Sequence, residues 1–180
     1  MLRGARIYLR TMVASDLEQY HKLSSDIESR GRFYPLDIKS EKSLQNEFEK
    51  NGFWNQEFGI MPIFTSDEDR LIGIIVYFKT AHYYEGYELG YRIFDPEDHG
   101  KGYATEATRL MSKFLFDSKR ILRLTIQCEQ GNAGSRKVAE KSGYKFEGIA
   151  RSVFESYGKV TDIEVWSLTH ADIYSDPSYA

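Results

Sequence analysis

Between Tyr87 and Leu115 the chain changes its hydrophobic period, and no other stretch constrains the fold as much. Tyr87, Leu89, Tyr91 and Ile93 alternate with Glu88, Gly90 and Arg92, the period of a strand with two different faces. Pro96 stops it, because proline cannot donate to a ladder. From about Gly102 the spacing becomes helical: Ala104, Ala107, Met111, Phe114 and Leu115 fall on one stripe. A strand running through a glycine-bearing turn into an amphipathic helix predicts a helix packed on a sheet.

The rest of the chain supplies the sheet. Strands are expected at 7–10, 58–64, 71–78, 121–128, 144–151 and 160–168, with the alternating segment making about seven. The run 71–78 is almost continuously apolar, which suits a strand covered on both faces. Helices are expected from Ser15 and Asp16 to Leu23, and from Ser40 to about Asn51. A short helix follows Asn132 as N-cap, with Ser135, Val138, Ala139 and Ser142 inward and Gly143 as its stop. This order predicts one α/β or α+β domain over residues 1–180, built on a mixed sheet.

The turn itself carries the chemistry. Gly100 and Gly102 let the backbone bend sharply and let an anion come close. The N–H groups from Gly100 to Thr105 precede the helix's own hydrogen bonds, and the helix dipole adds positive potential there. The pattern is that of a pyrophosphate cradle, with Lys101 as an optional charge. A Walker loop needs four residues between its glycines and a Gly-Lys-Ser/Thr ending, and this loop has neither. A dinucleotide loop needs a third glycine where Thr105 stands. On spacing alone, a glycine turn with no ligand stays open.

Charge and composition exclude other classes. The 24 Lys and Arg against 27 Asp and Glu give a net charge of -3, without the basic surplus of a nucleic-acid binder. Aromatics at 14% rule out a disordered chain. A single cysteine, Cys128, cannot form an internal disulfide and fits a reducing compartment. No apolar run approaches a membrane span, and residues 1–10 do not read as a signal peptide, so a cytoplasmic protein without a membrane partner is expected. His21, His82, His99 and His170 are scattered, so no metal site is expected.

His99-Gly100-Lys101-Gly102-Tyr103-Ala104 resembles the acyl-CoA signature of the GNAT N-acetyltransferases, and Thr105-Glu106-Ala107 resembles their RimJ/RimL branch. Three further pieces match that branch in order: Asn132 with Ser135, then Glu140-Lys141-Ser142-Gly143-Tyr144 with Glu147-Gly148, and Gly158-Lys159 leading to Trp166-Ser167-Leu168. The resemblance covers nearly the whole chain, from about Arg6 to Thr169. His99 departs from the family's glutamine or arginine. Ala139 stands where many members have a tyrosine that protonates the departing thiolate.

The resemblance implies a mostly antiparallel sheet splayed between strand 87–94 and strand 121–128, with helices on its faces. It implies acetyl-CoA as cosubstrate and a primary amine, on a protein N-terminus or a small molecule, as acceptor. The amine attacks the thioester directly in a ternary complex, and the enzyme is a monomer or homodimer. Pantetheine would pair with the main chain of Leu89, Gly90 and Tyr91, and Asn132 would bond the same arm. The cradle would comprise His99, Gly100, Lys101, Gly102, Tyr103, Ala104 and Thr105.

Three catalytic groups follow from the same resemblance. A main-chain N–H near Tyr91 would stabilise the oxyanion, Ser135 would stand in for the missing tyrosine, and Glu88 would be the base. Ser135 as a helix back-bond, and Glu88 as an ordinary polar-face residue, stay open. Phe33, Tyr34, Glu155 and Tyr157 are candidate substrate contacts; Phe33 and Tyr34, like Phe53 and Trp54, equally suit a core. The rival functions are a non-catalytic acyl-CoA sensor and a nucleotide-binding module on the same loop.

Overall fold

A computed structural model describes residues 1–33, 38–79, 85–156 and 158–179. Among these residues eight strands form one sheet: β1 Leu2–Arg3, β2 Ile7–Leu9, β3 Phe58–Thr65, β4 Leu71–Phe78, β5 Gly86–Ile93, β6 Arg123–Glu129, β7 Lys145–Ser156 and β8 Lys159–Thr169. Their order is β1-β2-β3-β4-β5-β6-β8-β7. Every neighbouring pair is antiparallel except β5 and β6. The helices are α1 Leu17–Ser25, α2 Glu41–Asn51, α3 Tyr103–Ser118, α4 Ala133–Lys141 and α5 His170–Ser175.

The sheet is covered on both faces, as the apolar run of β4 requires. Ile75 and Tyr77 turn to a core that includes Ala107, Met111 and Leu115 of α3, all fully buried. Ile74 and Val76 turn to the other face, with Leu44 of α2 and, at its margin, Leu17, Tyr20 and Leu23 of α1. The helix signals act as their chemistry dictates. The Ser40 side chain accepts from Ser43 N–H, and the Asn132 side chain accepts from Ser135 N–H. Asp16 opens α1, but its carboxylate is held by Arg10 at 2.6 and 2.7 Å and by Val13 N–H at 2.9 Å.

The expected seven strands become eight. β1 is two residues long, too short to carry any period, and exists because Leu2 and Arg3 pair with Leu9 and Tyr8. The short α5 also escaped the sequence reading, although Thr169 and Asp172 form its capping box. β6 begins at Arg123 rather than at Ile121, and β7 runs on to Ser156.

The parallel pair creates the site. β5 and β6 are in register only at Gly86↔Arg123, Tyr87↔Leu124 and Glu88↔Thr125. Beyond Glu88, β5 stays on β4 as far as Ile93, and β6 stays on β8 as far as Glu129. The sheet therefore opens between them, towards the N-termini of α3 and α4.

Candidate active site

The split is lined by main-chain groups that no strand takes up. Phe94 N–H donates to Ile72 O of β4 at 2.9 Å. Residues of an antiparallel ladder alternate sides, so Arg92, Gly90 and Glu88 also turn their main-chain groups to β4. Ile93, Tyr91 and Leu89 turn theirs the other way, and Ile93 O indeed meets His99 Nε2 at 3.1 Å. The last parallel pair, Glu88↔Thr125, uses Leu89 N–H for Thr125 O, so Leu89 C=O and the N–H and C=O of Tyr91 are what β5 offers to the opening, as an added strand needs. Gly90 does not: its main chain faces β4, and its contribution is the missing Cβ, which would lie 3.1 Å from Val76 Cγ2.

A cavity of about 610 Å³ occupies the opening and reaches both faces of the sheet. On the α3 and α4 face it is bounded by Tyr91, Cys128, Asn132 and Ser135. Tyr91 and Ser135 hydroxyls lie 2.8 Å apart, and the phenol also reaches Ser135 O at 3.2 Å. Ser135 Oγ is therefore not a helix back-bond; it points at a buried phenol. Burial holds the Tyr91 phenol well above its ordinary range, opposed only in part by the Ser135 bond. The pair is neutral and can donate, but does not ionise readily. Asn132 Oδ1 caps Ser135 N–H at 3.0 Å, which fixes where Ser135 sits. Ala139 is fully buried in the core.

On the α1 and α2 face stands Glu88. Gln127 Nε2 donates to its carboxylate at 2.9 Å. Burial pushes its pKa up to about 7, against the smaller lowering effect of Gln127. A carboxyl poised there exchanges a proton near neutral pH. Phe33 also borders this end, with Arg32 stacked on its ring at 4.7 Å.

The glycine turn leaves its amides unpaired at a helix start. Gly100 and Gly102 have φ of +74° and +85°, backbone that glycine alone adopts without strain. Gly102 is the N-cap of α3, whose first internal bond runs from Glu106 N–H to Gly102 O. The N–H groups of Tyr103, Ala104 and Thr105 lie ahead of that bond. No atom lies within 4 Å of where a Cβ would stand on Gly100. Lys101 is not a free charge: Nζ pairs with Asp98 at 3.0 Å, and Asp98, nearly fully buried, also holds Arg70 at 2.7 Å.

Arg6 is the residue the sequence did not point to. It donates to Lys101 O, pairs with Glu106 at 3.2 Å and stacks over Tyr103 at 5.4 Å. A basic residue 95 positions from the turn gives no local signal. Gln127 and the Tyr91 phenol were equally invisible, because only the tertiary fold, the β5–β6 pairing and the seat of α4, brings them to Glu88 and Ser135. Glu155 is not brought to the cavity; it is exposed near the β7–β8 turn, paired with Val160. Tyr34 and Tyr157, like His82, lie outside the described residues. Phe53 is buried in the core, and Trp54 packs on Tyr77. Among the described residues no cluster of His, Cys, Asp or Glu suits a metal ion, and no helix is long and apolar enough to cross a membrane.

Comparison with known proteins follows the same geometry. A family model described as an acetyltransferase (GNAT) domain matches residues 6–145. The chain is 29% identical over 182 residues to the protein named probable N-acetyltransferase YjcK of Bacillus subtilis, covering 96% of this chain and 98% of that one. A solved acetyltransferase of the GNAT family from Bacillus anthracis superposes with a TM-score of 0.78 at 26% identity, covering 93% of this chain and 97% of the other. RimL, a ribosomal L7/L12 alpha-N-protein acetyltransferase solved with coenzyme A, superposes with a TM-score of 0.78 at 17% identity, over 92% and 95% of the two chains.

Proposed function

Because the chain belongs to the GNAT acetyltransferases, we propose that it moves an acetyl group from acetyl-CoA to a primary amine by direct attack within the split between β5 and β6. The observation that carries this reading is the arrangement of that split. An unpaired strand edge, an anion cradle at one end, and neutral hydroxyls and a carboxylate on opposite faces converge on one cavity. The coenzyme A in the RimL structure supports the same choice of cosubstrate.

Bound acetyl-CoA supplies an activated acetyl thioester. The amides of Gly100 to Thr105 hold its pyrophosphate, and His99 and Lys101 shape the turn, through Ile93 O and Asp98. Leu89 and Tyr91 receive the pantetheine arm as an added strand, with Asn132 beside it. The Tyr91 N–H faces the thioester oxygen and stabilises the charge that gathers there. Glu88, from the opposite face, takes a proton from the bound ammonium and so frees the lone pair with which nitrogen attacks the carbonyl carbon; the second N–H proton is lost as the tetrahedral intermediate collapses and the C–S bond breaks. Ser135, oriented by Tyr91, donates a hydrogen bond to the departing sulfur, which takes its proton from solvent. Phe33 stands at the acceptor entrance.

Two measurements test the proposal. Calorimetry should show acetyl-CoA binding, with CoA but not ATP raising the melting temperature. A thiol-release assay should then show amine-dependent turnover. Thermal stabilisation by ATP alone would instead favour a nucleotide module. Ser135→Ala is expected to lower kcat about 10- to 100-fold with the acetyl-CoA Kd changed less than about twofold, since its bond forms as sulfur departs. An unchanged kcat would make Ser135 structural.

A further inference from the structure

The α1 and α2 face of the split is a trough whose floor is set by strand register. Phe58, Phe78 and Glu88 form one row across β3, β4 and β5, and Ile60, Val76 and Gly90 form the next. Ile74 continues the floor, and Leu44 of α2 closes it from above. Gly90 leaves a bare patch between this apolar floor and the carboxylate. Arg92, next along β5, is turned away onto Ser24 O and Ser29 Oγ, each at 3.2 Å, and stacks on Phe94.

The charges around the trough are matched within the chain. Glu129 pairs with Arg32 at 3.4 Å, Lys39 with Glu47 at 2.6 Å, and His21 Nε2 lies 2.9 Å from Lys39 O. Glu88 differs: the partner at hydrogen-bond distance is the neutral Gln127 amide. Among the described residues the trough therefore presents one carboxylate without a cation at hydrogen-bond distance, at the end of an apolar wall. One ammonium is matched there. A second ammonium a few atoms away would lie on Val76 and Ile74 with no anion, at a desolvation cost.

Resting on the acetyl-transfer reading, we propose that the acceptor is a primary amine carried on an apolar body, with its nitrogen at Glu88 and its body along Val76, Ile60 and Ile74, and that polyamines are poor substrates. The chemistry is shared by an alkyl- or arylalkylamine and by a peptide N-terminus with a large apolar first side chain.

The test is a homologous series of n-alkylamines from propyl to hexyl, whose pKa values are nearly equal, so that protonation cancels. Each added methylene should raise kcat/KM about fourfold until the trough is filled. Hexylamine should exceed 1,5-diaminopentane, which replaces its terminal methyl by ammonium, at least about tenfold. Val76→Thr, close in volume but with a hydroxyl in the wall, should flatten the series with acetyl-CoA affinity unchanged. Peptides led by Leu and by Ser separate the carriers: a Leu preference assigns the chemistry to peptides, and turnover confined to alkylamines assigns it to small molecules. A flat series, a preference for the diamine or for the Ser-led peptide, or an enzyme that binds acetyl-CoA yet turns over neither alkylamines nor the Leu-led peptide overturns the proposal. Failure of acetyl-CoA to bind, read separately by calorimetry, instead removes the acetyl-transfer reading on which it rests.

Discussion

Gly102→Val is expected to weaken acetyl-CoA binding at least about 100-fold in a chain that still folds. Two effects combine. At φ +85° a β-branched residue is strained, at a cost on the order of 1–3 kcal/mol. The new Cβ also points at Arg6 Nη2, 2.9 Å away, so Arg6 must shift from its bonds to Lys101 O and Glu106. The strain is relieved if Gly102 leaves the left-handed region. That turns the amides of Tyr103, Ala104 and Thr105 away from their common focus. Gly100→Ala separates the contributions. Its φ of +74° brings similar strain, but a Cβ there meets nothing within 4 Å. It should keep Arg6 in place and lose less affinity, about tenfold. Circular dichroism and the melting temperature establish that each variant is folded, and calorimetry reads the binding. Equal losses in both variants would assign the effect to backbone strain alone. Undiminished affinity in a folded Gly102→Val chain would remove the cradle from the mechanism.

The glycine turn and its helix start were legible because their signal is local. Gly100, Gly102 and the helix start lie within six residues, and their backbone demands can be read from residue types. The alternation of β5 was legible for the same reason, and with it the separation of Tyr91 from Glu88 onto opposite faces. The helix starts at Ser40 and Asn132 needed only a side-chain acceptor three residues ahead of the N–H it caps. What the sequence withheld depends on register between distant strands. Gln127 meets Glu88 because β6 sits beside β5 in parallel: Glu88 is in the last pair, opposite Thr125, and Gln127 is two residues beyond it. The apolar row beside Gly90 exists because β3, β4 and β5 share that register. Arg6 reaches the turn because β2 is packed near the start of α3. None of these pairings leaves a mark in the local pattern. Glu155 lies away from the cavity for the converse reason: sequence proximity to the motif strands does not say which end of a hairpin faces it.

Glu88→Gln is expected to produce a rate deficit whose pH dependence identifies the proton's path. With its pKa pushed up to about 7 by burial, Glu88 is increasingly ionised as pH rises to 7 and almost fully ionised above 8. In the wild type, rate follows this ionisation: it climbs about tenfold per unit below pH 7 and levels off above. The variant has no base and depends on amine already neutral in solution. That fraction also climbs about tenfold per unit, but goes on climbing to the amine's own pKa. The deficit is therefore constant below about pH 7 and narrows above it. For an α-amine with pKa near ~8 the narrowing stops after about one unit; for a lysine-like amine near ~10.4 it continues for about three. Stability supplies an independent check with a definite sign. A carboxyl whose folded pKa lies above its unfolded value weakens the fold as pH rises from about 4.5 to 7, because the unfolded chain ionises first. Glutamine removes that cost. Glu88→Gln should be as stable as wild type near pH 4, and more stable at pH 8 by on the order of 1–3 kcal/mol. Initial rates and melting curves from pH 5 to 10, with one good acceptor, give both profiles. A deficit that never narrows would make Glu88 a positioning residue for the ammonium. No deficit at any pH would place deprotonation in bulk water, leaving the buried carboxylate to the recognition of the acceptor.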